Sequence, residues 1–132
     1  LKTVRKTIQH LKDTKNFDPK CEDALQALEN AYRKQNYDMC DLLIQVGVSL
    51  TMKNLPGVVC SISLNVKTVE KTIQHLKDAD KWDPKCDEAS KSLENGFREL
   101  KYDVCDLLVQ EGVTLTMKNL LGIVVHNVSF SA

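Results

Sequence analysis

A stretch that begins KTVRKTIQHLKD at Lys2 returns as KTVEKTIQHLKD at Lys67, and the agreement continues far beyond it. DPKC recurs at Asp18 and Asp83, LEN at Leu28 and Leu93, and YDMCDLLIQVGVSLTMKN from Tyr37 matches YDVCDLLVQEGVTLTMKN from Tyr102. The offset is 65 residues throughout, and about three positions in five are identical between Lys2–Cys60 and the second copy. A period of this size marks a stacked array, in which a unit buries its apolar face only against a neighbour. The chain of 132 residues therefore reads as a single repeat domain, with copy one at about 2–66 and copy two at about 67–132, and as a piece of a longer protein.

The differences between the copies sort positions into inside and outside. Ile44/Val109, Met39/Val104, Tyr32/Phe97 and Phe17/Trp82 keep their apolar character and are expected in the core. Leu25/Ser90, Val46/Glu111 and Gln35/Leu100 do not, and are expected at the surface. Trp82 is expected to staple one unit to the next.

Each copy carries two segments of helical period. Val4, Ile8 and Leu11, and again Val69, Ile73 and Leu76, recur at i, i+4 and i+7 and place one apolar stripe on a short helix. Tyr37, Cys40, Leu43 and Ile44 do the same in a second helix, which Gly47 is placed to end. Asp18-Pro19 and Asp83-Pro84 mark boundaries, because the residue before proline avoids the α region. VVCSISLN after Pro56-Gly57 alternates like a strand, but between helices and without a partner strand it is expected to be a short buried helix.

LENAYRKQNYDMCDLLIQVGVSL resembles the two-helix body of an ankyrin repeat. Leu28, Ala31, Met39-Cys40, Leu42-Leu43-Ile44 and the closing Gly47 match that pattern, and Leu93, Gly96, Val104-Cys105, Leu107-Leu108-Val109 and Gly112 repeat it. The intervening stretch, from Leu55 to about Lys85, is similar more loosely, with Pro56 where a unit opens and Cys60-Ser61 as its small pair. The 65-residue period then holds two ankyrin-like units of unequal length, since the family repeat is about 33 residues. The resemblance implies an all-α, ankyrin-like solenoid of about four helix-turn-helix units. Gln26-Ala27-Leu28-Glu29 and Lys91-Ser92-Leu93-Glu94 replace the threonine-proline-leucine-histidine opening, and the loop from Gly47 to Pro56 is short, so the hairpins are expected to be short or missing.

Charge and chemistry narrow the function. Lysine plus arginine and aspartate plus glutamate both total 18, which leaves no excess field for nucleic acid or anionic lipid. No apolar run approaches the roughly 18 residues of a membrane helix, so membrane insertion is not expected. Cys21/Cys86 and Cys40/Cys105 are repeat-equivalent pairs expected on the order of 20 Å apart, against a disulfide limit of about 7 Å. With Cys60 they are expected as reduced, buried thiols in a cytoplasmic protein.

His10 with Cys21, and His75 with Cys86, supply two ligands locally where structural zinc needs four, so no metal is expected. The mid-helix thiols of Cys40 and Cys105 lack an assisting base, and no glycine-rich phosphate loop occurs. Neither an enzyme nor a cofactor is expected. The expectation is a non-catalytic protein-protein interaction scaffold. Its partner-binding surface is expected at Arg33, Lys34, Lys53, Arg98, Glu99 and Lys118, where ankyrin-like units expose side chains on their groove face. The second expectation is a spacer segment of a longer array, self-associating through its apolar C-terminal end, IVVHNVSFSA.

Overall fold

A computed structural model of the chain describes residues 1–62 and 64–131, with side chains described as far as residue 127. The described residues form eight α-helices and no strand. In chain order these are α1 (Lys2–Asp13), α2 (Glu22–Arg33), α3 (Tyr37–Gln45), α4 (Leu55–Val59), α5 (Val66–Asp78), α6 (Asp87–Arg98), α7 (Tyr102–Gln110) and α8 (Met117–Ser131). A 3-10 turn at Met52–Asn54 leads into α4. α2, α4, α6 and α8 touch in series, and α3, α5 and α7 pack against α2, α4 and α6 respectively.

Six of the helices stop at repeat-equivalent positions, and by one device. The chain leaves α1, α2 and α3 through residues of positive φ, Lys15, Gln35 and Gly47, and leaves α5, α6 and α7 through Asp80, Leu100 and Gly112. At each end the following amide donates five residues back, as in Asn16 N–H to the Leu11 carbonyl at 2.8 Å and Lys101 N–H to the Gly96 carbonyl at 2.8 Å. This Schellman closure satisfies carbonyls that a helix end otherwise leaves unpaired. Glycine takes the conformation without strain at Gly47 and Gly112, and there the Pro19 and Pro84 rings pack where a β-carbon would make ordinary contact. Pro19 itself lies in the turn before α2, whose first turn carries Glu22 and Asp23 and whose last carries Arg33, in keeping with the helix dipole.

Two apolar clusters form the core. Ile8, Leu28, Tyr32, Leu43, Leu50 and Val58 belong to the first, and Leu55, Val69, Ile73, Leu93, Val104 and Leu108 to the second. Helix α4 supplies Val58 to one and Leu55 and Val59 to the other, and α5 likewise divides Leu76 from Val69 and Ile73. These two helices form the seam between the copies. Trp82 packs against both clusters, as a staple should.

Several expectations are corrected. Ile44 and Val109, assigned to the core, are exposed, because they fall at the edge of the apolar stripe on α3 and α7. Val46, assigned to the surface, is half-buried against the first cluster. Of the VVCSISLN segment only Val58 and Val59 are in the helix; Cys60 is exposed and Ile62 fully so, in the turn that leads to α5, while Ser63 lies outside the described residues. All five cysteines are free, but only Cys40 and Cys105 are buried, with Cys21 and Cys86 half-buried and Cys60 exposed. The C-terminal IVVHNVSFSA is helical through Ser131, and its side chains beyond Asn127 lie outside the described residues.

Candidate interaction surface

The feature around which the surface is built is a buried carboxylate. Glu29 on α2 and Glu94 on α6 are both buried, a costly position for a charge unless it is fully hydrogen-bonded. Asn54 Nδ2 donates to Glu29 Oε1 at 3.0 Å, and Asn119 Nδ2 donates to Glu94 Oε1 at 3.0 Å. Each asparagine uses its other end on the turn it stands in. Asn54 Oδ1 accepts from Thr51 N–H at 3.0 Å, and Asn119 Oδ1 from Thr116 N–H at 2.8 Å. The TMKN sequence is thus folded into a capped turn and tied by its asparagine to α2 in copy one and to α6 in copy two.

The remaining carboxylate oxygen is crowded from the facing helix. A β-carbon on Gly57 would stand 2.6 Å from Glu29 Oε2, and one on Gly122 would stand 2.8 Å from Glu94 Oε2. Glycine at these positions allows α4 to approach α2, and α8 to approach α6, with a carboxylate between them. Gln26 Nε2 donates to Glu29 Oε2 at 3.1 Å, and Arg33 Nη1 lies 3.9 Å from the same oxygen. Around Glu94 the neighbours are stronger: Lys91 Nζ at 3.5 Å and Arg98 Nη1 at 3.4 Å. Burial pushes the Glu94 carboxyl up, but the Asn119 amide, Lys91 and Arg98 together outweigh it and hold the group below its ordinary value.

The lock sets out the surface residues in order. Lys53 and Lys118 occupy the third position of the two TMKN turns and are exposed. Arg33 and Arg98 are half-buried and reach back to the carboxylates. Arg98 and Lys118 meet on one cleft of about 490 Å³ between α6 and α8, together with Lys91, Leu121, Val125 and His126. Arg98 Nη2 lies 3.4 Å from His126 Nδ1. Lys34 and Glu99 stand apart from that cleft, exposed at the C-terminal ends of α2 and α6. The six residues are therefore not one patch. Arg98 and Lys118 share a cleft, Arg33 and Lys53 flank the equivalent lock in copy one, and Lys34 and Glu99 cap helices.

Glu99 has a partner that the sequence did not single out. Lys101 Nζ lies 2.7 Å from Glu99 Oε2 and donates to the carbonyls of Val59 at 2.8 Å and Ser61 at 3.0 Å. It clamps the C-terminal end of α4 in copy one, whose free carbonyls suit a cation, to the start of α7 in copy two. The available signal was the break in the repeat, since Asn36 stands at the equivalent position. The buried role of Glu29 and Glu94 also went unread, although glutamate, TMKN and the following glycine recur at the same spacing in both copies.

The thiols and histidines have structural neighbours. Burial pushes the Cys40 thiol up to about 12 and the Cys105 thiol up to about 11, so both are protonated and unreactive at neutral pH. His75 Nε2 accepts from Leu50 N–H at 2.9 Å, and burial lowers its affinity for a second proton. Among the described residues no group of three or more histidine, cysteine, aspartate or glutamate side chains could hold a metal ion, and no helix is long and apolar enough to cross a membrane.

No protein family model matches the chain, and no characterised protein or solved structure matches it significantly.

Proposed function

We propose that this chain is a non-catalytic scaffold for protein-protein contacts, built as an ankyrin-like array of helix pairs. The observation that carries the reading is the duplicated Glu–Asn lock. It ties one turn to α2 and its twin to α6, each turn carries an exposed lysine, and Lys118 shares a cleft with Arg98. Buried hydrogen-bonded networks specify a single geometry, and a pre-ordered surface loses less entropy on binding. Support for the array comes from helix ends that repeat at 65 residues and from the serial contacts of α2, α4, α6 and α8.

The two surfaces are alike in frame and unlike in detail. Gln26 in copy one is replaced by Lys91, Lys34 by Glu99, and Cys60 by Val125. Such divergence on a fixed frame is what recognition of an irregular protein surface uses. The cleft at Arg98 and Lys118 pairs cations with Leu121 and Val125, which suits a segment carrying both acidic and apolar side chains. The five unpaired cysteines support the reading of a reducing setting such as the cytoplasm, and the balanced charge argues for protein rather than nucleic acid as partner.

Reversing Arg33 or Arg98 would set a second negative charge beside a buried carboxylate and weaken the fold itself. Lys53 and Lys118 are exposed and free of that difficulty. A partner captured by the native protein and lost by the Lys53→Glu/Lys118→Glu variant, with circular dichroism unchanged, supports the scaffold. A partner retained equally by the variant sinks this surface, and no specific partner at all favours the spacer reading.

A further inference from the structure

We infer that the α8 face of one molecule binds the α1–α2 face of a second copy of this chain, head to tail, through a joint the molecule already contains between its own two copies. The inference rests on the repeat architecture that the proposed scaffold also uses, and it is tested at different residues.

The joint within the molecule is made by α4 and its neighbours from copy one against α5 and α6 from copy two. Leu50, Leu55 and Val59 are fully buried there. Their counterparts 65 residues on are Leu115, Leu120 and Val124, and these are exposed by 37%, 47% and 47%. The same inversion holds for the opposing surface. Thr68, Thr72 and Ser92 on α5 and α6 are fully buried in the seam, whereas Thr3, Thr7 and Ala27 on α1 and α2 are exposed. The α8 face therefore has the composition of a surface that is covered elsewhere in this molecule. The α1–α2 face has the composition of the surface that covers it.

The polar contacts of the seam can be written across two molecules with the same residue types. Within the molecule, Tyr37 Oη and Thr68 Oγ1 are 2.9 Å apart, and the Lys67 and Lys71 ammonium groups stand 5.7 and 4.7 Å from the Tyr37 ring centre. The counterparts are Tyr102, which is 58% exposed, and Thr3, Lys2 and Lys6. Leu50 N–H donates to His75 Nε2 in the seam, and the counterparts Leu115 and His10 are again identical in type. Electron-rich ring meets cation, and donor meets acceptor, with no side chain altered. Beyond substitutions such as Ser92/Ala27 and Pro56/Leu121, two features of the frame differ. Asn36 stands where Lys101 clamps α4, and α8 continues past His126 where α4 ends at Val59, so the joint is confined to Leu115–Val125 and lacks one clamp.

A contact between two different faces of the same molecule is heterologous, and it adds copies without closing unless the rotation happens to form a ring. Sedimentation velocity from about 10 μM to about 1 mM covers association with Kd values into the millimolar range. The native chain is expected to exceed twice its mass of 14.9 kDa as concentration rises. Leu120→Glu/Val124→Glu blocks one face and Thr3→Glu/Thr7→Glu the other, all at positions already open to solvent or half open. Each variant alone is expected to sediment as the monomer, and an equimolar mixture as a dimer and nothing larger. A native chain that stays monomeric throughout overturns the inference, as does a mixture that stays monomeric. Variants that still self-associate point to α8 pairing with α8 and overturn it equally. Should a charge variant lose helical circular dichroism, Tyr102→Ala replaces it and is expected to weaken association at least tenfold; unchanged association is then the overturning result. Loss of partner capture on changing Lys53 and Lys118, with sedimentation unaltered, would count against the scaffold and leave this inference standing.

Discussion

Val4 and Val69 occupy the same place in the two copies, on the same face of the same helix, yet Val69 is fully buried and Val4 is not. The contrast runs through the molecule. α5 lies between two layers of helix, while its twin α1 has a neighbour on one side only, and α4 stands in the same relation to α8. Sequence decides which face of a helix is apolar, but the presence of a neighbouring copy decides whether that face leaves water. Twin positions with one chemistry and two environments turn the molecule into its own control.

The sharpest use of that control is a pair of truncations. Leu55→Ala empties a site with no solvent access and is expected to cost about 2–5 kcal/mol, whereas Leu120→Ala removes a side chain already half in water and should cost under about 1 kcal/mol. Urea unfolding of the two variants measures the difference. Equal losses at dilutions where the chain is monomeric would break the comparison, because α8 would then be covered within one molecule as α4 is.

A second test asks where the copies should agree. Asn54→Ala and Asn119→Ala each strip a buried carboxylate of its amide donor and a turn of its acceptor, so about 1–3 kcal/mol is expected from either. The locks lie within a copy rather than at the seam, so the two costs should be similar. A near-neutral Asn119→Ala beside a costly Asn54→Ala would show that the lock also depends on the neighbouring copy.

These two tests mark the boundary of what could be read in advance. The repeat, the apolar stripes at Val4-Ile8-Leu11 and Val69-Ile73-Leu76, and the helix stop at Gly47 were legible because they are written in adjacent residues. The lock was not, since a glutamate in a helix next to asparagine and arginine looks like any solvated face until Asn54, 25 residues away, is brought under it. Four helix ends were also hidden. Lys15, Gln35, Asp80 and Leu100 adopt the left-handed conformation without being glycine, so no local residue announces them. Of the surface residues, Lys53 and Lys118, singled out from the ankyrin resemblance, are exposed in the TMKN turn, whereas the employment of Arg33 and Arg98 against buried charge could be seen only in three dimensions.

Those helix ends supply a smaller effect of opposite sign. Leu100 has φ of +61° and is exposed, so it contributes strain without apolar burial. Leu100→Gly should stabilise the protein by about 0.5–1 kcal/mol, the relief of left-handed strain less the extra chain entropy of glycine. Its twin Gln35 has φ of +59°, and its side chain accepts from Asn65 Nδ2 at 3.2 Å. Gln35→Gly therefore loses a contact as it loses strain, and should gain less. A thermal melt that moves down for Leu100→Gly would show that the exposed leucine has a use in the folded chain.

The smallest effect is an acid one, and it separates the seam from the cleft. His75 is half-buried at the seam with Nε2 accepting from Leu50 N–H, and this burial holds its folded pKa below the ordinary 6.5. The unfolded chain then binds more protons in that interval, and stability complete above pH 6.5 is lost as the pH falls through the folded value. Asp78 opposes the shift and Lys81 adds to it, but burial is the larger influence. Glu94 acts in a lower window. Its folded pKa is also below the ordinary 4.5, so its contribution holds above that pH and disappears as acidification passes through the folded value. Urea midpoints from pH 7 to pH 3 should therefore fall in two stages. His75→Gln, whose side-chain carbonyl can still accept from Leu50 N–H, should remove the first stage alone, and Glu94→Gln the second. If the first stage survives in His75→Gln, the loss below pH 6.5 belongs to some other group, and the seam does not hold its histidine neutral.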